Sequence, residues 1–136
     1  MELIELIKKH EGFRDRPYKC SAGKITIGWG RNLDDVGITE QEALLMLNND
    51  IKKAEDDLQS VFPPDFLFSV LSYNRYAVLV DMMFNLGLTR FRGFKKLIAA
   101  VNEKDWQTAA HEMLDSKWAK QVKTRAYELA RMMEKG

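Results

Sequence analysis

The fold is decided by residues 10–30, which read HEGFRDRPYKCSAGKITIGWG. The apolar pattern over residues 3–7 predicts a short helix that ends near Glu11, and Gly12 is a plausible terminator. Ser-Ala-Gly-Lys at 21–24 then predicts a hairpin turn, and the alternation at 25–27 predicts a strand. We therefore expect a helix followed by a small antiparallel sheet of two or three strands.

Three side chains of this stretch can carry chemistry. Eight residues separate Glu11 from Cys20, and five separate Cys20 from Thr26. In so short a hairpin, Cys20 and Thr26 lie near each other across the turn. Taken singly, a glutamate is usually plain surface charge, a lone cysteine is usually an inert small hydrophobe and a strand threonine is usually ordinary. Our interpretation is that the three side chains converge on one cleft and cut a polymer.

Composition excludes several classes of function. The 136 residues allow one domain or two small lobes, and the net charge of +1 makes no electrostatic case for nucleic acid. One cysteine excludes an intrachain disulfide, and His10 and His111 lack metal-ligand partners at useful spacing, so we expect no metal. Gly28-Trp29-Gly30 is not a dinucleotide fingerprint, and we expect no cofactor.

The N-terminus lacks a signal-peptide core, and no apolar run approaches the roughly 20 residues of a membrane-spanning helix. We therefore expect synthesis in the cytoplasm without membrane insertion. If the protein acts outside the membrane, something else must release it.

The rest of the chain is helical in pattern. Thr39-Glu40-Gln41-Glu42 is a capping box that predicts a helix over 40–59, about 30 Å long and able to connect two lobes. Further helices are predicted near Phe66, and over 73–86, 91–101, 106–114 and 123–133. The fold class is therefore α+β, mostly helical, with the strands segregated at one end.

This pattern resembles the phage-type lysozymes, the endolysins of glycoside hydrolase family 24. The resemblance is collinear over nearly the whole chain, and its residues are Glu11-Gly12, Tyr18, Cys20, Gly23, Thr26 to Gly30, Met82 to Gly87, Gly93-Phe94, Trp106, Ala109-Ala110, Ser116 to Gln121 and Arg125-Ala126. In that family a catalytic triad reads Glu, eight residues, Asp or Cys, five residues, Thr, which is the spacing found here. The resemblance therefore implies catalytic roles for Glu11, Cys20 and Thr26.

The resemblance also implies a two-lobed lysozyme-like fold within one domain, residues 1–136. A small sheet-containing lobe with its connecting helix takes residues 12–59, and a helical lobe takes 1–11 and 60–136. The substrate lies in the cleft between the lobes. The family hydrolyses the β-1,4 bond between N-acetylmuramic acid and N-acetylglucosamine in peptidoglycan.

The implied roles make Glu11 the general acid, while Cys20 and Thr26 activate water and give inversion. Cys20 remains open among three roles: base, nucleophile or water holder. Family resemblance places Arg125 close to Glu11. A nearby cation lowers the pKa of a carboxyl group, whereas a general acid needs a raised pKa. The substrate-binding residues implied are Asn32, Phe84, Leu97, Glu112, Gln121 and Arg125, of which Leu97 departs from the polar residue common at its position.

The predicted function is that of an endolysin acting as a monomer on the periplasmic cell wall after release by a holin. Two alternatives stay open: a non-catalytic peptidoglycan-binding relative, and a chitinase or lytic transglycosylase on the same fold.

Overall fold

The computed structural model describes residues 2–136. Helices make up 66% of the chain, and the strands form one small antiparallel sheet near the N-terminus. This confirms the predicted α+β class. The chain divides into two compact units, Met1–Met46 and Leu47–Gly136, with the boundary inside the helix that starts at Glu40.

The first unit begins with helix α1, Leu3–Glu11, which has no buried residue. The sheet that follows has the order β1-β2-β3 and consists of β1 (Arg14–Lys19), β2 (Ile25–Gly28) and β3 (Arg31–Asn32). The β1–β2 pairing is irregular between Arg14 and Tyr18, where Pro17 has no N–H to donate to the ladder. The predicted hairpin is confirmed.

Helix α2 spans Glu40–Gln59, as the capping box predicts. The Thr39 N–H donates to Glu42 Oε1 at 2.9 Å, and the Glu42 N–H donates to Thr39 Oγ1 at 3.1 Å. Glu42 also accepts from Arg31 Nη1 at 2.8 Å. The Arg31 hydrogen bond, with a smaller contribution from Thr39, lowers the pKa of Glu42 to about 2. Strand β3 is thereby tied to the start of α2.

The second unit is built of helices around an apolar core. After the C-terminal part of α2 its helices are α3 (Pro64–Ser69), α4 (Tyr73–Leu86), α5 (Leu88–Arg92), α6 (Lys95–Asn102), α7 (Trp106–Leu114), α8 (Lys117–Val122) and α9 (Thr124–Lys135). The prediction of one helix over 91–101 is wrong, because the chain breaks at Gly93-Phe94, where Phe94 has the non-helical ψ of 58°. Helix α8 was not predicted.

The core of the second unit centres on α4, whose Val78, Leu79 and Met82 are fully buried. Partners from α7 and α9, including Met113 and Met133, close over it. Burial of such side chains contributes about 1.5–3 kcal/mol each. Among residues 2–136, no helix is both long and apolar enough to cross a membrane.

Candidate active site

The Glu11 side chain is held at the last position of α1. The helix ends there because Gly12 adopts a φ of 69° and donates its N–H to Lys8 O at 2.9 Å. Glu11 is exposed, and its carboxyl group lies directly over the backbone of Gly30. A Cβ at Gly30 would stand only 2.7 Å from Glu11 Oε2. The absence of a side chain at Gly30 therefore makes room for the carboxylate.

Cys20 and Thr26 lie on either side of the β1–β2 turn. The Cys20 N–H donates to Lys24 O at 2.9 Å, and the Gly23 N–H donates to Cys20 O at 2.8 Å. Tyr18 and Thr26 are register partners, so the turn brings Cys20 and Thr26 together as predicted. Thr26 is the only buried residue among residues 2–46, with 3% of its surface exposed. The central strand thus fixes its hydroxyl group.

The β1–β2 turn lowers the pKa of the Cys20 thiol. The backbone N–H groups of Lys24 and then Ala22 hold the pKa of the thiol below its ordinary value, against a smaller opposing effect of desolvation, and the Thr26 hydroxyl lowers the pKa further. The same hydroxyl donates to Lys24 O at 2.9 Å. Because a hydroxyl has one proton, it donates either to that carbonyl or to a thiolate. The turn therefore favours the ionised form of Cys20.

Asn32 belongs to the same unit and pairs with Thr26 across β2 and β3. Its side-chain amide donates to Asp35 Oδ2 at 3.0 Å, and its carbonyl accepts from the Asp35 N–H at 3.0 Å. Its side chain is half-buried. Four of the nine predicted site residues, Glu11, Cys20, Thr26 and Asn32, are therefore in the first unit.

The other five predicted residues lie in the second unit, in two separate depressions. Phe84, which is 43% exposed, and Arg125 line a depression of about 410 Å³ formed by α2, α4 and α9. Arg125 Nη2 is 2.7 Å from Asp81 Oδ1, and Arg125 Nε donates to the same oxygen at 2.8 Å. Within the second unit, Asp81 is thus the partner that orients Arg125.

Leu97, Glu112 and Gln121 line a second depression of about 600 Å³ between α6, α7 and α8. Glu112 is half-buried and Gln121 is exposed, so both can reach a ligand. Leu97 is only 1% exposed and packs in the core. Leu97 therefore lies beneath the depression and contributes little exposed surface to it.

Three functional features were not found by sequence reasoning. The close approach of Glu11 to the backbone of Gly30 was not predicted, because it joins two residues that are 19 positions apart. Asp81 interrupts the apolar run from Tyr76 to Phe84, and that contrast is a signal that could have identified it. Asn85 accepts a hydrogen bond from Trp118 Nε1 at 2.7 Å and fixes α8 on α4.

The described residues contain no group of three or more His, Cys, Asp or Glu side chains placed to hold a metal ion. In the first unit, Glu11, Cys20 and Thr26 supply a carboxyl group, a thiol and a hydroxyl group. A carboxyl group can transfer a proton, and a thiolate with a neighbouring hydroxyl can take one from water or attack carbon.

Comparison with known proteins agrees with the predicted family. The family model described as phage lysozyme matches residues 8–134. An endolysin of Acyrthosiphon pisum secondary endosymbiont phage 1 is 33% identical over 86% of this chain and 77% of its own length. A probable T4-type lysozyme 2 of Dictyostelium discoideum is 27% identical over 98% of this chain and 94% of its own. An endolysin of Salmonella phage P22 is 29% identical over 82% of this chain and 77% of its own length. The chain therefore belongs to the phage lysozyme family, whose members are glycoside hydrolases that lyse peptidoglycan.

Proposed function

We propose that this protein hydrolyses the β-1,4 bond between N-acetylmuramic acid and N-acetylglucosamine, with Glu11, Cys20 and Thr26 as its catalytic residues. The observation that carries the proposal is the β1–β2 turn, which brings Cys20 beside Thr26, a residue of the central strand that is only 3% exposed. A glycosidase needs an acid on the leaving oxygen and a base or nucleophile opposite it. Glu11 supplies the first, and Cys20 supplies the second.

In this mechanism Glu11 donates its proton to the glycosidic oxygen as the bond to the anomeric carbon breaks. Thr26 orients a water molecule, and the Cys20 thiolate accepts one proton from it as the water oxygen attacks the anomeric carbon. The product sugar then has the inverted configuration. A lowered pKa supports the base role, because it raises the thiolate fraction at neutral pH above the few per cent of an ordinary thiol.

Direct attack by the thiolate is the competing route, and it predicts retention through a covalent intermediate. NMR of the first anomer released separates the two routes. Inversion supports the base role, whereas retention together with a trapped glycosyl-cysteine assigns Cys20 as the nucleophile. Substitution Cys20→Asp should keep most of the activity, and Cys20→Ala should remove most of it.

The deciding experiment is a muropeptide digest by the wild-type protein beside Glu11→Gln. The wild type should release reducing N-acetylmuramic acid ends, and Glu11→Gln should release none while keeping its wild-type melting temperature. Anhydro-muramic ends would assign a lytic transglycosylase instead. Wall binding without any release would assign a binding protein.

We further propose that Asn32, Phe84, Glu112, Gln121 and Arg125 contact the glycan chain. Leu97, which was predicted to do so, is buried and shapes the depression of Glu112 and Gln121 without contacting the glycan. Arg125 is already oriented by Asp81, and Asn32 adjoins Thr26 in the sheet. Alanine substitution of Glu112 or Gln121 should raise KM more than it lowers kcat. Leu97→Ala should instead lower thermal stability, because its side chain is buried.

The lobe division is also part of the proposal, with residues 1–11 packing on residues 60–136. Its support is the exposed apolar face of α1, where Leu3 and Ile4 are 68% and 66% exposed. Ile4→Asp should then speed amide hydrogen exchange within residues 60–136, and unchanged exchange would contradict the packing.

Two further parts of the proposal concern the cell. First, the protein acts as a monomer, which light scattering tests. Second, a holin releases it from the cytoplasm to the periplasmic wall. The relatives named endolysin support the second statement. Expression with and without a holin tests it, since lysis should require both proteins.

A further inference from the structure

We propose that Trp29 is a positioning residue for Glu11: its indole ring fixes the last turn of α1 over the turn that joins β2 to β3. This inference rests on the proposed function, and it adds a residue that acts through Glu11 rather than on the glycan. Trp29 lies at the tip of the β2–β3 turn, which is closed by the pairing of Ile27 with Arg31. The backbone of the sheet therefore holds Trp29 in place.

Two residues of α1 lie over two successive residues of this turn. The Lys8 ammonium nitrogen lies 4.7 Å from the centroid of the Trp29 ring. The Glu11 carboxyl group lies over the backbone of Gly30. Lys8 and Glu11 are three positions apart and so share one face of the helix. The face of α1 that carries Glu11 is thus the face that meets the turn, and the contact of Lys8 with Trp29 sets how the helix lies on it.

The burial of Lys8 fits this contact. Lys8 is half-buried, whereas every other residue of α1 is exposed. Lysine is ordinarily one of the most exposed residue types, yet here the apolar residues Leu3 and Ile4 are more exposed than Lys8. The negative electrostatic potential of an aromatic face attracts an ammonium group, which accounts for the reversed order.

The Trp29 ring also contacts the chain on the other side of Gly12. The Phe13 and Trp29 ring centroids are 5.0 Å apart, with an angle of 48° between the ring planes. Because Arg14 is the register partner of Gly28, this aromatic pair extends the β1–β2 ladder by one step. Gly12, with its φ of 69°, is the point at which α1 can pivot relative to the sheet. One ring therefore contacts residues before and after the pivot.

Helix α1 depends on contacts of this kind for its orientation. It has nine residues, none of them buried, and isolated helices shorter than about 12 residues are marginal in water. Without the Trp29 ring, the last turn of α1 can pivot at Gly12 and carry the Glu11 carboxyl group away from Gly30. A displacement of about 1 Å can lower a catalytic rate roughly 100-fold.

The first test compares Trp29→Ala with Trp29→Phe at a temperature where both variants are folded. Trp29→Ala should lower kcat for muropeptide release roughly 10- to 100-fold and leave KM almost unchanged. Trp29→Phe keeps an aromatic face for Lys8 and Phe13 and should keep most of the rate. A raised KM at unchanged kcat would make Trp29 a glycan contact and overturn the inference. A wild-type kcat in Trp29→Ala, or an equal loss in Trp29→Phe, would overturn it as well.

A double-mutant cycle tests whether Lys8 acts through the ring. Lys8→Ala should lower kcat about twofold to fivefold, the range expected when one exposed cation–π contact is lost. In a Trp29→Ala background it should change kcat little, because the contact is already absent. The matched control is Lys9→Ala, which removes the same charge from the neighbouring exposed position of α1. Equal effects of Lys8→Ala in both backgrounds, or equal effects of the two lysine substitutions, contradict the inference. If Trp29→Ala does not fold, Trp29→Leu takes its place in both tests.

An NMR titration separates this inference from the proposed function. The backbone amide of Gly30 should shift with pH as the Glu11 carboxyl group ionises, and Glu11→Gln should abolish this shift. Its amplitude should fall in Trp29→Ala and be retained in Trp29→Phe. A Gly30 amide that does not respond to Glu11, or an undiminished amplitude in Trp29→Ala, overturns the positioning role even when hydrolysis is observed. A diminished amplitude in Trp29→Ala supports the positioning role even if the wild type cleaves no wall, a result that contradicts only the hydrolase proposal.

Discussion

Substitution Gly30→Ala tests the close approach of Glu11 to the sheet. Gly30 has a φ of 79°, a region that costs an L-residue roughly 1–2 kcal/mol. Its new Cβ would lie 2.7 Å from Glu11 Oε2 and 2.8 Å from Glu11 Cδ. Ordinary contact begins at 3.4 Å, so the carboxyl group must retreat by about 0.6–0.7 Å.

The two consequences differ in size. The displaced group is the end of a flexible side chain, so the stability loss should come mainly from backbone strain, lowering Tm by roughly 3–8 °C. Displacing a catalytic group by about 1 Å can cost 100-fold in rate, so activity should fall roughly 10- to 100-fold. The assay pairs calorimetry with the initial rate of muropeptide release.

The matched control is Gly37→Ala. Gly37 has a φ of 66° in the same unit, but a Cβ there meets nothing within 4 Å. It should lose similar stability and keep its activity. The reasoning is refuted if Gly30→Ala keeps wild-type activity at a temperature where both proteins are folded, or if Gly37→Ala loses as much activity as Gly30→Ala.

Three more predictions follow from contacts elsewhere. The folded pKa of Glu42 lies near 2, below its unfolded value, so its contribution to stability is present above about pH 4.3 and is lost as pH falls toward 2. Calorimetry across that window should therefore show a flatter acid limb for Glu42→Gln than for wild type. Trp118→Phe removes the 2.7 Å hydrogen bond to the Asn85 carbonyl and should lower the free energy of unfolding by about 0.5–1.5 kcal/mol in urea titrations. Alkylation of Cys20 by iodoacetamide should have its pH midpoint below that of a model peptide thiol, and Thr26→Val should raise the midpoint; an unchanged midpoint would remove the hydroxyl's role.

The sequence predicts well the features that local chemistry decides. The start of α2 follows from the capping box at Thr39 and Glu42, whose two reciprocal hydrogen bonds form within four residues. The Cys20–Thr26 juxtaposition follows from the length of the hairpin turn. Neither of these two features depends on residues that are distant in the sequence.

Features that depend on distant partners could not be predicted in this way. Asp81 and Arg125 are 44 positions apart, and only packing of α9 against α4 joins them. Phe94 leaves the helical region within a stretch whose apolar pattern reads as one helix, so the break between α5 and α6 went unseen. That break also places the start of α6 at the depression between α6, α7 and α8, of which sequence reasoning identified only Leu97, Glu112 and Gln121.

The role proposed for Cys20 depends on a balance between proton affinity and ionised fraction. Donors that lower the pKa of the thiol make each thiolate a weaker base, but they raise the fraction of protein that carries one. A reference thiol near pH ~8.5 is mostly protonated at neutral pH, so a modest decrease gains more in population than it loses in basicity. The same donors weaken the nucleophilicity of the Cys20 sulfur. The hydroxyl of the buried residue Thr26 beside it favours a water molecule between the sulfur and the sugar. The turn therefore supports proton abstraction from water over direct attack on the sugar.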